Sequence, residues 1–384
     1  MIAYHKEGNV STKKHTAFYD ETTKKLYREE LFGSCGFEGI YSIKYHQNIP
    51  PAVTESIVLD TINCHWEKDM PLQAMHFKTH MVNDGDILSS KISYCGNDRV
   101  TISIVTPTKN QDYYYKNAGC NECYYVHEGH GCLYSEFGEI SFKEGDYIFI
   151  PKSMIYKLLF NSKKNKLLLI ESVAHFRIPN EFKNNQGQIL EHAPYSERDF
   201  KTPTLKEPYI EESNVKVIVK KNNKLTQLTL QHSPFDLVGW DGYLYPCVFN
   251  INDYSPIVGK IHQPPSVHKV IECDDFMVTN FVPRLLDYHQ NAIPIPYYHS
   301  NIDCDEILYY LKGNFMSRNG IEEGSITLHP SGIPHGPQPG KIEASLGAKE
   351  VNEYAIMIDV YREVFISPQA RSQLDKNYFK SWVE

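Results

Sequence analysis

Two histidines and a glutamate in the last quarter of the chain have the types and spacing of a metal centre. The stretch "PIPYYHSNIDCDEILYYLKG", residues 294 to 313, sets His299 seven residues before Glu306 and Glu306 seven before Gly313. Eleven residues later Gly324 opens a second stretch in which Pro330, Gly332 and His335 follow. Two imidazoles and one carboxylate form the facial ligand set of non-haem Fe(II), which leaves neighbouring positions open for a chelating substrate and O2. Zn(II), Mn(II) and Ni(II) accept the same ligands, so spacing alone leaves the metal open. The separation of His299 and Glu306 is odd, and a continuous strand would present them on opposite faces. The segment "NIDCD" between them must therefore turn, for which Asn301, Asp303 and Asp305 are suited.

The elements around these residues read as strands. "RVTISIVTP", "NECYYVHEG", "GEISFKEGDYIFIPK", "NKLLLIESVAHF", "VKVIVKKNNKLTQLTL", "DFMVTNFVPR" and "AIMIDVYR" are rich in β-branched and aromatic residues and are separated by Gly, Pro, Asn and Asp. Helical patterns are few and peripheral. The best are "TKKLYREELFG" near 23 to 33 and "SPQARSQLDKNYFKSW" near the end, where Ser367 and Pro368 form an N-cap and first-turn pair. A polar, proline-containing stretch at 176 to 213 reads as the connection between two β domains, 1–175 and 214–384.

Composition supports a globular protein with a core of its own. The 384 residues are 41% hydrophobic and 22% charged, with 27 tyrosines. A net charge of -8 gives no basic field for nucleic acid, and no run approaches the apolar length of a membrane span. The N-terminus lacks the apolar stretch of a secretory signal. Nine scattered cysteines, an odd number, argue against a disulfide framework and for a reducing, cytoplasmic setting.

The two spaced stretches closely resemble the two motifs of the cupin superfamily, a small β-barrel that carries a metal in its mouth. The first half repeats them imperfectly. Glu122 stands seven residues before Gly129, and Gly145, Pro151, Ser153 and Tyr156 stand where the second half has Gly324, Pro330, Gly332 and His335. The chain is therefore expected to be all-β dominated, a bicupin of two jelly-roll barrels with peripheral helices, in which only the C-terminal barrel keeps a complete metal site.

A wider resemblance runs through most of residues 1 to 360. "LYREELFGSCGF", "YSIKYHQNIPPAV", "SPFDLVGWDGYLYPCVFNINDY", "IHQPPSVH", "FVPR", "PYYHSN" and "PSGIPHGP", in this order, are similar to the homogentisate 1,2-dioxygenases, particularly the shorter bacterial type. The resemblance implies an Fe(II) enzyme that opens the ring of homogentisate with O2, and a homo-oligomer, trimer or hexamer. It implies His299, Glu306 and His335 as iron ligands, His262 as the catalytic base, and His329, Phe315, Tyr298 and His335 beside the substrate, with orientation of an iron ligand as an equal alternative for His329. A histidine suits the base because imidazole accepts a proton near neutral pH; His268, six residues on, is a rival.

The sequence departs from the better-known longer members in three places, one of them a step from His299 to Glu306 that is one residue longer. Phe315 stands where they have a tyrosine, and Ser300 where they have an arginine. Loss of the hydroxyl bears on the exact aromatic acid more than on the reaction. Two other readings stay open: a metal-dependent cupin without oxygen chemistry, such as an isomerase or small-molecule binder, and a structural zinc site at Cys120, Cys123, His127, His130 and Cys132. "SPFDLVGWDGYLYP" reads as core packing or a subunit interface.

Overall fold

A computed structural model describes residues 3–62, 65–208 and 213–383. The expected class is the one observed, with mostly antiparallel strands and, among the described residues, two α-helices of five residues each, Lys341–Ser345 and Pro368–Ser372. The second opens as its sequence dictates: the Ser367 hydroxyl accepts from the Ala370 amide at 3.0 Å and Pro368 occupies the first turn. No helix among the described residues is long and apolar enough to cross a membrane.

The helix expected at 23 to 33 is instead largely a strand. Arg28–Gly33 pairs antiparallel with Tyr41–His46, and the Ser34 amide donates to Ile40 O at 2.9 Å to close the hairpin. Cross-strand pairing and burial of Phe32 win over a helix propensity that no tertiary contact supports.

Two large sheets and a smaller one position the site. The first half is dominated by a seven-stranded and an eight-stranded sheet, the second by a six-stranded sheet of order Lys269–Glu272, Phe276–Phe281, Glu353–Val360, Asp305–Gly313, Ile326–His329 and Met75–Phe77. The chain crosses between halves in both directions. Met75–Phe77 adds the edge strand beside Ile326–His329, and Phe365–Ile366 pairs back onto Ile92–Gly96.

The expected boundary at 176 to 213 does not coincide with a sheet boundary. Beyond it, Val215–Lys221 pairs parallel with Tyr114–Asn117, and Cys247–Asn250 pairs antiparallel with Asp146–Ile150. These long-range pairings draw residues up to about 250 into the sheets of the first half, because their apolar faces complete its core. Within the connection, 209–212 lie outside the described residues.

The aromatic stretch at 233 to 246 is core packing. Trp240 is fully buried, its indole N–H donates to Phe137 O at 2.8 Å, and its ring meets Phe137 and Tyr245 edge-on or tilted. Trp240→Ala removes this volume and leaves Phe137 O unpartnered. The expected cost is about 3–5 kcal/mol of unfolding free energy in a denaturant titration; a loss below about 1 kcal/mol would show that the ring is not packed as described.

Candidate metal centre

His299 and His335 are brought together by backbone before their side chains meet. Each amide donates to the other's carbonyl at 2.9 Å, a single two-residue bridge outside the main strands. Glu306 enters from the second position of strand Asp305–Gly313, and residues 302 and 303 bend between it and His299, as the odd spacing requires. Asp305 fixes the loop that carries His335: its two oxygens accept from the Ser331 and Val364 amides, each at 2.8 Å. Gly336 follows where Tyr298 crosses closely, and a Cβ there would lie 2.8 Å from the Tyr298 Cα.

The three side chains point inward. His299 Nε2 lies 3.5 Å from Glu306 Oε2 and His335 Nε2 lies 3.5 Å from Glu306 Oε1. One ligand atom from each of the three falls within 4.8 Å of the others. The Nδ1 atoms face backbone carbonyls, Tyr297 O at 3.3 Å and Ile333 O at 3.4 Å, which leaves Nε2 as the ligand atom of each ring.

The donor set fits a divalent metal. His335 Nε2 is buried with no hydrogen-bond partner, a polar atom whose burial is costly unless something coordinates it. Burial opposes ionisation of Glu306, yet the three surrounding imidazoles of His299, His329 and His335 hold its carboxyl well below the usual range. The hydrogen bond to Glu306 raises His299 above the ordinary imidazole value against its own burial. A metal must displace that proton, so metal affinity falls as pH falls.

The triad opens on a cavity of about 350 Å³ to which His299 and Glu306 contribute, together with His262, Phe315, Tyr310 and Arg318. That volume suits one substituted aromatic ring. Asp359, cross-strand from Glu306, also lines it; burial and then the charge of Glu306 push its carboxyl up to about 7.

Two family models, homogentisate 1,2-dioxygenase N-terminal and homogentisate 1,2-dioxygenase C-terminal, match residues 60–251 and 248–384. The chain belongs to the homogentisate 1,2-dioxygenase family. It is 41% identical to "Putative dioxygenase SSO1533" of Saccharolobus solfataricus, over all of this chain and 99% of that protein. It is 26% identical to a homogentisate 1,2-dioxygenase of Bradyrhizobium diazoefficiens, over 83% of this chain and 76% of that one. Among solved structures it is similar to a cupin 2 conserved barrel domain protein from Leptotrichia buccalis, 11% identical with TM-score 0.35, covering 71% of this chain and 89% of that one.

In this member of the homogentisate 1,2-dioxygenase family, the other residues singled out in the sequence fall differently. His262 lines the cavity, with Nδ1 3.4 Å from Asp287 Oδ2 and its ring 5.1 Å from Tyr297. The rival His268 is buried elsewhere, near Ile257 O at 3.1 Å, and burial lowers its pKa. Phe315 lines the cavity against Tyr310, ring centroids 4.8 Å apart.

Tyr298 and His329 are not in the substrate wall. Tyr297 faces the cavity and Tyr298 is exposed on the other side of Gly336, because the backbone bridge at His299 fixes which of the two neighbours turns inward. His329 is fully buried, with Nδ1 2.8 Å from Glu306 Oε1, Nε2 3.2 Å from Tyr378 OH, and its ring stacked 4.7 Å from His335. Burial lowers it to about 4, so it is a neutral ring that orients two ligands. His335 likewise contributes to the metal set and not to the cavity wall.

The first half holds the same constellation with the metal chemistry removed. Glu122 pairs with Ile150 as Glu306 pairs with His329, and Tyr115 bridges Tyr156 as His299 bridges His335. Ser153 sits at φ 71°, in the left-handed region where Gly332 sits at 84°. Tyr115 was not singled out in the sequence, although it precedes Glu122 by the same seven residues that separate His299 from Glu306. Both phenols reach the carboxylate, Tyr156 OH at 2.7 Å and Tyr115 OH at 3.5 Å, and Asn117 Nδ2 donates to it at 3.1 Å. Phenol donors that satisfy a carboxylate leave no lone pairs converging on an ion.

Burial, and then the charge of Glu171, push Glu122 up to about 7. Its folded value therefore exceeds its unfolded one. Folded and unfolded chains bind equal protons at low pH, and stability falls as pH rises from the ordinary carboxylate range through about 7. Glu122→Gln should remove this slope and gain, relative to wild type, on the order of 2 kcal/mol between pH 5 and pH 8 in urea titrations. Parallel curves for the two proteins would contradict the assignment.

The five residues considered as a zinc site do not assemble. The cysteines among the described residues are free, Cys123 is buried, and His127 is committed to Tyr309 OH at 3.0 Å and Glu323 at 3.1 Å. Among the described residues His299, Glu306 and His335 are the group that could hold a metal.

Proposed function

We propose that this protein is an Fe(II)-dependent ring-cleaving dioxygenase that converts homogentisate, 2,5-dihydroxyphenylacetate, and O2 into maleylacetoacetate in tyrosine and phenylalanine breakdown. The observation that carries this reading is the buried, unpartnered His335 Nε2 beside His299 and Glu306, two residues that line a cavity of ring size together with His262. The names of the curated relatives support the substrate.

In this reading His299, Glu306 and His335 hold Fe(II), which supplies a Lewis-acidic site able to bind a phenolate and O2 together. His262 takes the ring hydroxyl proton; Asp287 steadies its Nδ1 side and leaves Nε2 toward the substrate. Phe315 packs against the ring without offering a hydroxyl. His329 holds the Glu306 carboxylate. Incubation with 18O2 tests the reading: both labelled atoms should appear in one ring-opened product, whereas a single labelled atom would indicate hydroxylation and none a cupin without oxygen chemistry.

The free cysteines support a reducing, cytoplasmic location. Strand Val53–Thr61 supports the homo-oligomer: it closes one edge of the seven-stranded sheet with every residue exposed, Val53, Ile57, Val58 and Leu59 among them. Sedimentation equilibrium should give a trimer or hexamer, and a monomer at micromolar concentration would count against it.

A further inference from the structure

Arg318 is a buried cation without a counter-charge in the wall of the cavity. It is 8% exposed, and its Nε is buried with no hydrogen-bond partner. Nη1 donates to Gly336 O at 2.6 Å and Ser317 O at 3.2 Å, and the guanidinium lies 5.6 Å from the Trp382 ring centre. These contacts fix the fork without neutralising it. The neighbouring Arg284 is paired with Glu353 at 3.4 Å, whereas Arg318 has no carboxylate partner among the described residues. Glu306, whose charge reaches it, is already committed to three histidines.

A buried charge is costly unless paired, and a guanidinium fork matches a carboxylate in plane and spacing. The walls beside it, Phe281, Leu308, Phe315 and Met357, are apolar and suit a ring. We propose that Arg318 is the specificity-determining residue that receives the side-chain carboxylate of an arylacetate, so that the cavity selects anionic over neutral hydroquinones. The proposal rests on the ring-cleavage reading for the ring hydroxyls but not for the anion.

The test is anaerobic calorimetry on the Fe(II)-loaded protein with 2,5-dihydroxyphenylacetate, phenylacetate and 2-methylhydroquinone. Arg318→Gln should weaken both carboxylates about 30-fold or more and leave 2-methylhydroquinone within about twofold. Arg318→Lys, which keeps the charge and loses the fork, should give an intermediate loss and guards against a glutamine variant that fails to fold. Equal losses for all three ligands, no loss for the carboxylates, or failure of both carboxylates to bind the wild type would overturn the proposal. Arg318-dependent binding without O2 consumption on 2,5-dihydroxyphenylacetate would uphold it while removing the ring-cleavage reading.

Discussion

His335→Ala should purify as a folded protein that no longer retains Fe(II), with O2 consumption reduced at least about a thousand-fold, since a bound metal supplies several kcal/mol of transition-state stabilisation. Beyond the metal, the side chain offers ring packing against His329 and His299. Its Nε2 makes no hydrogen bond and its Nδ1 meets only Ile333 O at 3.4 Å, so its removal costs the fold less than it costs the metal. The backbone bridge to His299 survives the substitution because it uses main-chain atoms alone. Iron content and thermal melting together decide the matter. Loss of iron with the melting profile of the iron-free wild type is expected, whereas full iron occupancy would remove His335 from the ligand set.

His262→Ala separates proton transfer from metal binding. His262 lines the cavity and is outside the triad, so iron content should stay at the wild-type level while kcat falls about 10²- to 10⁴-fold, the range a positioned general base contributes. Added imidazole should restore part of the rate, because the vacated space beside Asp287 can receive a free ring. A fall in KM-controlled binding with kcat unchanged would show that His262 only shapes the cavity, and a rate loss that imidazole leaves untouched would point the same way.

The candidate metal-binding trio was legible because it is tied to punctuation with a mechanical cause. Gly313 and Gly324 adopt φ of 104° and 81°, so glycine, histidine and glutamate recur at fixed offsets wherever this strand geometry does. Residues whose roles depend on long-range register were not legible. His329 reads in the sequence either as a substrate neighbour or as a residue that orients a ligand, and antiparallel pairing sets it directly across from Glu306, where it meets that carboxylate and not the cavity. Tyr297 and not Tyr298 lines the cavity because side chains alternate along the extended segment that leads into the His299 bridge, which puts Tyr297 and His299 on one side.

Strand partners followed the same divide. Alternating runs such as "GEISFKEGDYIFIPK" became the strands they predict, Gly138–Phe142 and Asp146–Ile150, although the two lie in different sheets. The parallel pairing of Val215–Lys221 with Tyr114–Asn117 joins residues about a hundred apart, and local pattern carries no information about it. Arg318 escaped notice because its meaning is an absence, a buried guanidinium with no carboxylate beside it, which appears only when its surroundings are known. Tyr115 could have been found by carrying the seven-residue offset to its end in the first copy as well as the second.

Oxygen uptake by protein purified anaerobically and reconstituted with Fe(II), with homogentisate added and the ultraviolet spectrum followed, is the decisive assay of ring cleavage. One O2 should be consumed per homogentisate with appearance of a ring-opened product, and neither should occur with the Zn(II)-loaded protein. Iron bound at His299, Glu306 and His335 with no uptake on homogentisate would contradict the ring-cleavage reading.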